Sequence, residues 1–434
     1  MMIDRTQQPV ISDFSTVEMT FAEERILANG VKLLIINSGD QEVCRFDIIF
    51  NGGLYEQHQP MVCNALASML RHGGKGYDSA AIAEIFDFYG AWTSGRAHHH
   101  HTSFTVYSLN RCFKDLMPVI ESIIKKPTLP AHEFELIKKQ SISSLNNSKE
   151  QVRYLATQKF NEMYFGKNHP FGKNISVKDI EALNLEMLET FHQAHFSSQN
   201  CTIMLTGKVT NEMIACVDAY FGDTWGNKKE FECSNAIPIT HSTTKLEIVD
   251  KPGSLQSAVI MGLDAIPRNH ADYIPLRILV KTFGGYFGSR LMTNIRETKG
   301  YTYGISAGLI GRHEHSYIMI TSECDTKYTH LLINEVKNEM RKLAEEPIDN
   351  DELNRVKSNI LSDMVGAVDS PFAIADYNLT AIYCNISKDY FAKQVEIIKK
   401  ITAKELQEIA QKYFVTDNLF MAIAGDKKKI EKMS

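Results

Sequence analysis

Three blocks in the first half of the chain recur, in the same order, in the second half. The helix-like segment "NALASMLRHGG" matches "PLRILVKTFGG", "PTLPAHEFELIKKQSISSLNN" matches "EPIDNDELNRVKSNILSDMVG", and "NLEMLETFHQAHFSSQNCTIMLTG" matches "TAKELQEIAQKYFVTDNLFMAIAG". In these three blocks, Gly73 aligns with Gly284, Glu133 with Glu352 and Gly207 with Gly425. The offsets between the two halves are therefore 284 − 73 = 211, 352 − 133 = 219 and 425 − 207 = 218 residues. A repeat of this length and order predicts two homologous domains.

Within each half, the hydrophobic pattern alternates between strands and helices. Runs such as "GVKLLIIN" and "CRFDIIFNGG" predict strands, and "AHEFELIKKQSISSLNN" and "DELNRVKSNILSDMVG" predict long helices. Thr402 with Glu405 fits a capping box, and Asn184 is the matching N-cap. Strands joined by hairpins and mixed with helices predict an α+β fold, in which each domain is an antiparallel sheet covered by helices.

The domain boundaries follow from the polarity of the middle of the chain. The most polar and least patterned segment runs from Gly226 to Lys245 and indicates an interdomain linker. The sequence therefore predicts an N-terminal domain over residues 1–225, a linker over 226–245 and a C-terminal domain over 246–434.

Composition excludes several classes of protein. A chain of 434 residues is too long for one core, and its net charge of −5 provides no basic field for nucleic acid. Its eight cysteines form no CxxC pair, which indicates buried thiols in a reducing compartment. The segment "MMIDRTQQPVISDF" has no apolar signal region, and no apolar run reaches about 18 residues. We expect a soluble, untargeted, cytoplasmic protein that binds neither nucleic acid nor membrane.

The stretch Gly284 to Gly304, "GGYFGSRLMTNIRETKGYTYG", combines a glycine-rich turn with two chemically active side chains. Its first three glycines (284, 285 and 288) predict a turn that tolerates positive φ, and residues 289–298 predict a short helix. Arg296 falls near the end of that helix, and Tyr303 begins the next strand. A fixed cation beside a phenol could stabilise a developing negative charge. Alternatively, both are ordinary surface residues.

The matching place in the first half reads "LASMLRHGG", from Leu66 to Gly74. A zinc peptidase motif H-x-x-E-H needs two imidazoles four residues apart on a helix and a glutamate as general base. Ser68 and Arg71 occupy the first histidine and glutamate positions, so only His72 is left. One imidazole with a distant carboxylate such as Glu150 is short of the three protein ligands of a catalytic zinc. We therefore predict no metal in this chain.

Two further segments allow alternative interpretations. His98 to His101 would alternate faces on a strand, so that residues two apart could bind a transition metal, or they form a polar hairpin edge. The segment Asp250 to Leu263, "DKPGSLQSAVIMGL", predicts a turn and a strand. That strand could offer an edge to an extended peptide, or it pairs within the fold.

The repeat, "LASMLRHGG", "PGSLQSAV" and "FGSRLMTNIRETKGYTYGI" together resemble the insulinase/pitrilysin (inverzincin) family of metallopeptidases, in its processing-peptidase-like branch. The resemblance extends from about Thr20 to Lys427, and Arg296 and Tyr303 match the arginine-tyrosine pair of the family. It implies two domains that form half of a clamshell chamber. It also implies that the tyrosine hydroxyl helps to hold the oxyanion at a zinc site, while the arginine supports the tyrosine and the substrate backbone.

The same resemblance implies a peptide-binding role for Gly284, Gly285 and Gln256. Ser68, Arg71 and His72 stand at degenerate zinc-motif positions, so hydrolysis by this chain alone is not expected. Members of this branch can work as heterodimers in which one subunit carries zinc and the other carries the arginine-tyrosine pair. This chain resembles the second subunit, with no cofactor of its own, a homologous partner with an intact H-x-x-E-H and zinc, and a peptide substrate.

Two other functions remain open at this point. The first is a catalytically inert structural or peptide-binding subunit. The second is an independent metal-dependent hydrolase that would use His72, the run His98 to His101 and Glu150.

Overall fold

A computed structural model describes residues 6, 19–227, 237–311 and 315–432. Residues 228–236 of the predicted linker lie outside the described residues, so the proposed domain boundaries stay predictions. The seven cysteines in the described ranges are free thiols, and Cys233 lies outside them. None of the helices in these ranges combines the length and apolarity needed to cross a membrane.

The strands form two large sheets and one small ribbon. The first sheet contains β1 (Glu23–Ile26), β2 (Lys32–Asn37), β3 (Val43–Asn51), β6 (Trp92–Ala97), β7 (His101–Leu109) and β8 (Cys201–Gly207), and β4 (Gly73–Gly74) pairs with β5 (Tyr77–Asp78). The second sheet contains β9 (Leu246–Asp250), β10 (Gln256–Ala265), β11 (Thr302–Gly311), β12 (Ser316–Asp325) and β13 (Phe420–Gly425).

The helices of the first half are α1 (Val62–Met69), α2 (Ser79–Phe88), α3 (Phe113–Lys125), α4 (Ala131–Lys149), α5 (Val152–Phe165), α6 (Val177–Glu181), α7 (Leu185–His195) and α8 (Asn211–Phe221). Those of the second half are α9 (Tyr273–Gly284), α10 (Thr329–Glu345), α11 (Asn350–Gly366), α12 (Pro371–Tyr383), α13 (Tyr390–Lys400), α14 (Ala403–Tyr413) and α15 (Lys427–Lys432). The predicted caps are confirmed: Thr402 and Glu405 form a capping box, and Asn184 accepts from the backbone N–H of Met187.

The two sheets share one topology. The first has the order β1-β2-β8-β3-β7-β6, and the second has the order β9-β13-β10-β12-β11, which repeats the last five positions of the first. Each sheet is mainly antiparallel and contains one parallel pair, β2 with β8 and β9 with β13. The duplicated α+β fold is therefore confirmed, with the addition of a parallel pair that the hairpin pattern did not predict.

One helix from each half packs on the sheet of the other half. Helix α5 of the first half packs its Phe160 and Tyr164 on β10 and β13 of the second sheet. Reciprocally, Ile374 and Ala375 of α12 pack on the first sheet, against Leu34, Ile36 and Met204. These two helices are related by the repeat, because 371 − 152 = 219 is one of its offsets. The exchange joins the two halves through buried apolar surface.

Polar contacts reinforce both exchanged helices. Arg45 on β3 pairs with the neighbouring buried Asp47 at 2.8 Å and reaches Asp376 on α12 at 2.6 Å. The Tyr164 hydroxyl on α5 donates to Asp264 on β10 at 2.5 Å. Buried charges are tolerated only when they are paired, so Arg45 fixes the position of α12 as well as neutralising Asp47.

Candidate functional site

The predicted short helix after α9 is a π-helix, Met292–Thr298, which carries Arg296 near its end. Its wider turn is seen where the backbone N–H of Lys299 bonds the carbonyl of Asn294, five residues earlier, at 3.0 Å. Leu291 and Ile295 are fully buried and hold one face of the segment in the second core. Single π turns are rare and occur frequently at functional sites, because they redirect the side chains of a helix.

Polar anchors fix this π-helix to its neighbours. The Asn294 side-chain amide donates to Glu335 at 3.0 Å and to Glu339 at 2.8 Å, both on α10. Lys299 pairs with Glu335 at 2.5 Å. Burial raises the pKa of Glu335, but the bonds from Lys299 and Asn294 outweigh it and leave this pKa lowered. Just before the π-helix, Arg290 forms a two-bond fork with Glu352 on α11, at 2.8 Å for each bond.

A tight turn and a β-bulge then place Tyr303 at the surface. Gly300 has a φ of 64°, a left-handed conformation that glycine adopts without strain. The register of β11 on β12 shifts between Thr302 and Ile305, so Tyr303 and Gly304 lie in a bulge at the start of this edge strand. Bulges re-aim side chains and are frequent beside active sites. The Tyr303 side chain is accordingly 93% exposed.

The arginine and the tyrosine interact through the tyrosine main chain. Nε of Arg296 donates to the carbonyl oxygen of Tyr303 at 2.9 Å. The guanidinium also lies over the ring of Phe287, 4.9 Å from its centroid. Arg296 therefore fixes the bulge, and the phenol of Tyr303 projects outwards into solvent.

Both residues line a cavity of about 1210 Å³, which also includes the predicted Gln256. The two halves contribute to it unequally. Glu150, Gln151, Val152 and Arg153, at the junction of α4 and α5, come from the first half. The remaining lining residues come from the second half: Ser254, Leu255, Gln256, Arg296, Glu297, Gly300, Tyr301, Thr302, Tyr303, Glu323, Cys324, Asp325 and Tyr328. Ion pairs close the junction, since Glu150 contacts Lys251 at 2.5 Å and Arg153 pairs with Glu323.

Gly284 and Gly285 do not line this cavity. The glycines at 284, 285 and 288 do not adopt the positive φ that their turn could tolerate. The close approach of α9 to β11 requires a glycine at 284, because a Cβ there would lie 2.7 Å from the Cβ of Ala307. The part of Gly284 and Gly285 in peptide binding stays a prediction. The visible role of Gly284 is to allow α9 to pack closely against the strand that presents Tyr303.

The degenerate zinc-motif positions do not fit a metal. The α-helix α1 ends at Met69, and Arg71 and His72 lie in a 3₁₀ turn, so the predicted continuous helix is wrong there. Nδ1 of His72 contacts Ser79 Oγ at 3.1 Å and Glu133 Oε2 at 3.3 Å. Ser68 and Arg71 are exposed and supply a hydroxyl and a guanidinium, which are not zinc ligands. Within the described ranges, no group of three His, Cys, Asp or Glu side chains is placed to hold a metal ion.

Comparisons with known proteins agree with this geometry. A family described as "Peptidase M16 inactive domain" matches residues 182–360. An uncharacterized zinc protease of Rickettsia bellii is 24% identical over 401 residues, which cover 89% of this chain and 94% of that protein. A probable inactive metalloprotease of Bacillus subtilis is 21% identical over 289 residues, covering 64% of this chain and 65% of that protein. The chain is therefore similar to the insulinase-like M16 peptidase family, as its sequence predicted.

The M16 fold is also seen in a solved structure. The peptidase M16 inactive domain of Pseudomonas fluorescens superposes with a TM-score of 0.81 at 21% identity, covering 93% of this chain and 98% of that one. The predicted two-domain architecture, half of a clamshell, is thereby confirmed.

In this M16 fold, Glu150 lies far from His72. Glu133, which contacts His72, lies in the first turn of α4, whereas Glu150 is the C-cap of the same helix. A rise of 1.5 Å per residue separates the two ends of α4 by roughly 25 Å. Glu150 lines the cavity of Tyr303 and contacts Lys251. The constellation of the metal-dependent hydrolase is therefore not assembled.

The histidine run forms a hairpin turn, so the predicted strand alternation is wrong: β6 ends at Ala97 and β7 begins at His101. The His101 ring stacks between His98 at 4.2 Å and Tyr383 of α12 at 4.0 Å. Burial, reinforced by the neighbouring histidines, lowers the pKa of His101 to about 3. This neutral ring joins the hairpin to the exchanged helix α12. Whether the run binds a metal stays untested.

The strand of the segment Asp250 to Leu263 is β10, which lies between β12 and β13 and has both edges paired. The expectation that it offers an edge to a peptide is therefore wrong, and pairing within the fold is correct. Sequence reasoning missed Leu255, Tyr301 and Tyr328, which line the cavity. The apolar residue within the "PGSLQS" turn was the available signal for Leu255, because an apolar side chain in a polar turn is unusual.

Proposed function

We propose that this chain is the non-zinc subunit of a heterodimeric zinc metallopeptidase and that it supplies Arg296 and Tyr303 to the transition state at the partner's zinc. One observation carries the proposal: Arg296 holds the main chain of Tyr303 at 2.9 Å, and the phenol projects, 93% exposed, at a cavity.

The chemistry divides between the two subunits. The zinc of the partner would supply the Lewis acid and an activated water. Tyr303 donates its phenolic O–H to the oxyanion that develops on the scissile carbonyl. Because Arg296 and the bulge already fix Tyr303, this donor needs little reorganisation during the reaction. Arg296 acts on the reaction by keeping Tyr303 in place, and its positive charge favours the same developing anion.

The cavity supports a peptide as the substrate. Its lining combines exposed apolar groups, Leu255 and Tyr303, with polar ones such as Gln256. An amide side chain can both donate to and accept from a peptide backbone, so Gln256 would bind independently of the substrate sequence. Its volume of about 1210 Å³ exceeds the usual range of small-molecule sites, which extends to about 1,000 Å³.

The test is reconstitution. This chain is co-expressed with a homologous chain that has an intact H-x-x-E-H, and peptide cleavage is measured for each chain alone and for the mixture. We expect cleavage by the mixture and none by this chain alone. Tyr303→Phe removes only the donor hydroxyl and should lower the turnover of the complex by about 10²–10³. The matched control is Tyr301→Phe, because Tyr301 lines the same cavity and stacks on Tyr328 through its ring.

Equal turnover of Tyr303→Phe and the unmodified complex would contradict the catalytic role. The alternative function is a catalytically inert structural or peptide-binding subunit. It is favoured by the name of the Bacillus subtilis relative, a probable inactive metalloprotease. A complex that forms with the zinc-bearing chain and binds peptide, but cleaves none beyond what that chain cleaves alone, would establish that alternative.

A further inference from the structure

A second cavity, of about 490 Å³, lies in the second half and shares no lining residue with the cavity of Tyr303. Four helices and one edge strand enclose it. Its lining residues come from the segment before α9 and from α9, β11, α11, α12, α13 and the α12–α13 connection: Arg268, Tyr273, Arg277, Leu309, Asp363, Met364, Ala367, Ala373, Asp376, Tyr377, Thr380, Ala381, Ile386, Tyr390, Phe391 and Gln394.

Within the part of the chain that the structure describes, the two arginines of this cavity lack an acidic partner. Among the described residues, no carboxylate oxygen lies within 4.0 Å of the guanidinium of Arg268 or Arg277. Arg277 donates to the side-chain oxygen of Gln394, which is buried at 3% exposure. Arg268 lies over the ring of Tyr273, 5.9 Å from its centroid. Partly buried guanidinium groups normally pair with an anion, so both have unused donors.

Two phenols add hydrogen-bond donors to the same space. The hydroxyl oxygen of Tyr377 is buried and has no hydrogen-bond partner in the described structure. Burial raises the pKa of Tyr377, and it raises that of Tyr390 to about 12, although Arg268 and Arg277 oppose both shifts. Both phenols are therefore protonated at neutral pH. A buried hydroxyl without a partner is costly, which indicates that it bonds something that enters the cavity.

The carboxylates of the lining are engaged elsewhere. Asp363 pairs with Lys281 at 2.7 Å, and Asp376 pairs with Arg45 at 2.6 Å. The side chains of both aspartates are more than half exposed, so they lie at the rim. The interior thus presents two cations and two phenolic donors, with Gln394 as an acceptor already bonded to Arg277.

We propose that this cavity binds a small organic carboxylate with an aromatic or branched apolar body. The carboxylate would take the free donors of Arg268, Arg277 and Tyr377, because the planar guanidinium fork matches the carboxylate geometry. The apolar body would lie against the non-polar side chains of the lining, which are Leu309, Met364, Ile386 and Phe391. The volume is in the range of small-molecule sites. This binding does not depend on the peptidase role of Tyr303.

The ligand would also bridge two helices of the second half that pack on different sheets, α12 on the first sheet and α9 on β11 of the second. Asp376 and Tyr377 belong to α12, whereas Tyr273 and Arg277 belong to α9. A carboxylate bonded to both Tyr377 and Arg277 would therefore add a polar link between α12 and α9. We expect occupancy to raise the thermal midpoint of the full chain.

The test uses phenylacetate and inorganic phosphate as probes of the full-length chain, by isothermal titration calorimetry and thermal unfolding. We expect saturable phenylacetate binding with a Kd of about 1 mM or tighter and a raised midpoint. Arg268→Gln should weaken this binding roughly tenfold to a hundredfold, and Arg341→Gln, on the surface of α10, should not.

Tyr377→Phe separates ligand binding from folding. Its hydroxyl has no hydrogen-bond partner among the described residues, so the variant should be at least as stable as the unmodified chain. It should bind phenylacetate several-fold more weakly, because it lacks one donor to the carboxylate. Three results would overturn the proposal: no saturable phenylacetate binding, equal affinity in all three variants, or phosphate binding tighter than phenylacetate. The last result would identify an inorganic anion site instead.

Discussion

Nε of Arg296 donates a hydrogen bond to the carbonyl oxygen of Tyr303 at 2.9 Å, while the phenol of Tyr303 is exposed to solvent. Because this hydrogen bond is made to the backbone of Tyr303, Arg296 fixes the position of Tyr303 without engaging its hydroxyl. Loss of the Arg296 side chain and loss of the Tyr303 hydroxyl should therefore impair the proposed reaction in different ways.

Arg296→Lys tests this positioning role. Lysine keeps the charge but lacks the planar Nε–H donor, so the bulge at Tyr303 loses its support. In the reconstituted complex we expect kcat to fall by about 10- to 100-fold, because small misplacements of a catalytic group are costly. KM should change much less. Arg341→Lys, on the surface of α10, is the control, and a kcat equal to that of the control would contradict the positioning role.

Gly284→Ala tests the close approach of α9 to β11. The new Cβ would lie 2.7 Å from the Cβ of Ala307, which requires the helix to move. We expect the free energy of unfolding to fall by about 1–3 kcal/mol, as measured by urea denaturation. Gly308→Ala on the same strand is the control, since its Cβ would meet only Ile310, at 3.7 Å. Equal stability of the two variants would show that the packing is loose.

His101→Phe tests the stack between the histidine hairpin and α12. Because burial lowers the pKa of His101 to about 3, folding excludes its proton. Its contribution to stability is present above the unfolded pKa of about 6.5 and is lost as the pH falls towards the folded value. His101→Phe keeps the ring and removes the titration. Urea midpoints at pH 7 and pH 5 should therefore differ less in this variant than in the unmodified chain.

Tyr383→Phe is the control for that experiment, because it keeps both the stack and the histidine. It should retain the pH dependence of the unmodified chain. If His101→Phe showed the same loss of stability between pH 7 and pH 5 as Tyr383→Phe, His101 would not be the titrating group.

Phe160→Ala tests the docking of α5 on the second sheet. The Phe160 ring is fully buried and lies against Gly262, where an added Cβ would come within 2.3 Å of it. Its removal should lower the free energy of unfolding by about 3–5 kcal/mol. Phe88→Ala is the matched control, since Phe88 is 80% exposed, and it should have little effect. A small effect at Phe160 would mean that α5 contributes little to holding the halves together.

Sequence predicted the parts of this fold that depend on local pattern. The match of Glu133 with Glu352 correctly predicted the equivalence of α4 and α11, and Thr402 with Glu405 correctly predicted a helix start. It did not predict that β2 lies parallel to β8, because these strands are far apart in the chain and period-two alternation carries no information about direction.

The candidate site was predictable only in part, for a related reason. Arg296 and Tyr303 were found by their spacing, but the apolar pattern around Ile295 fits an α-helix as well as the π-helix that forms. Arg153 enters the cavity only because α5 crosses to the other half, a contact that no local pattern encodes. Likewise, the glycine at 284 signals close packing or positive φ equally well, and only the position of Ala307 decides between them.

The exchange of α5 and α12 has an evolutionary consequence. A polypeptide corresponding to one half would expose the sheet face that the other half now covers, so it would be stable only as a pair in which each copy gave its helix to the other. The present chain has the arrangement that fusion of such a swapped pair would give. Cutting its backbone between α8 and β9 should therefore leave a two-fragment assembly, which ought to stay together as firmly as an obligate dimer.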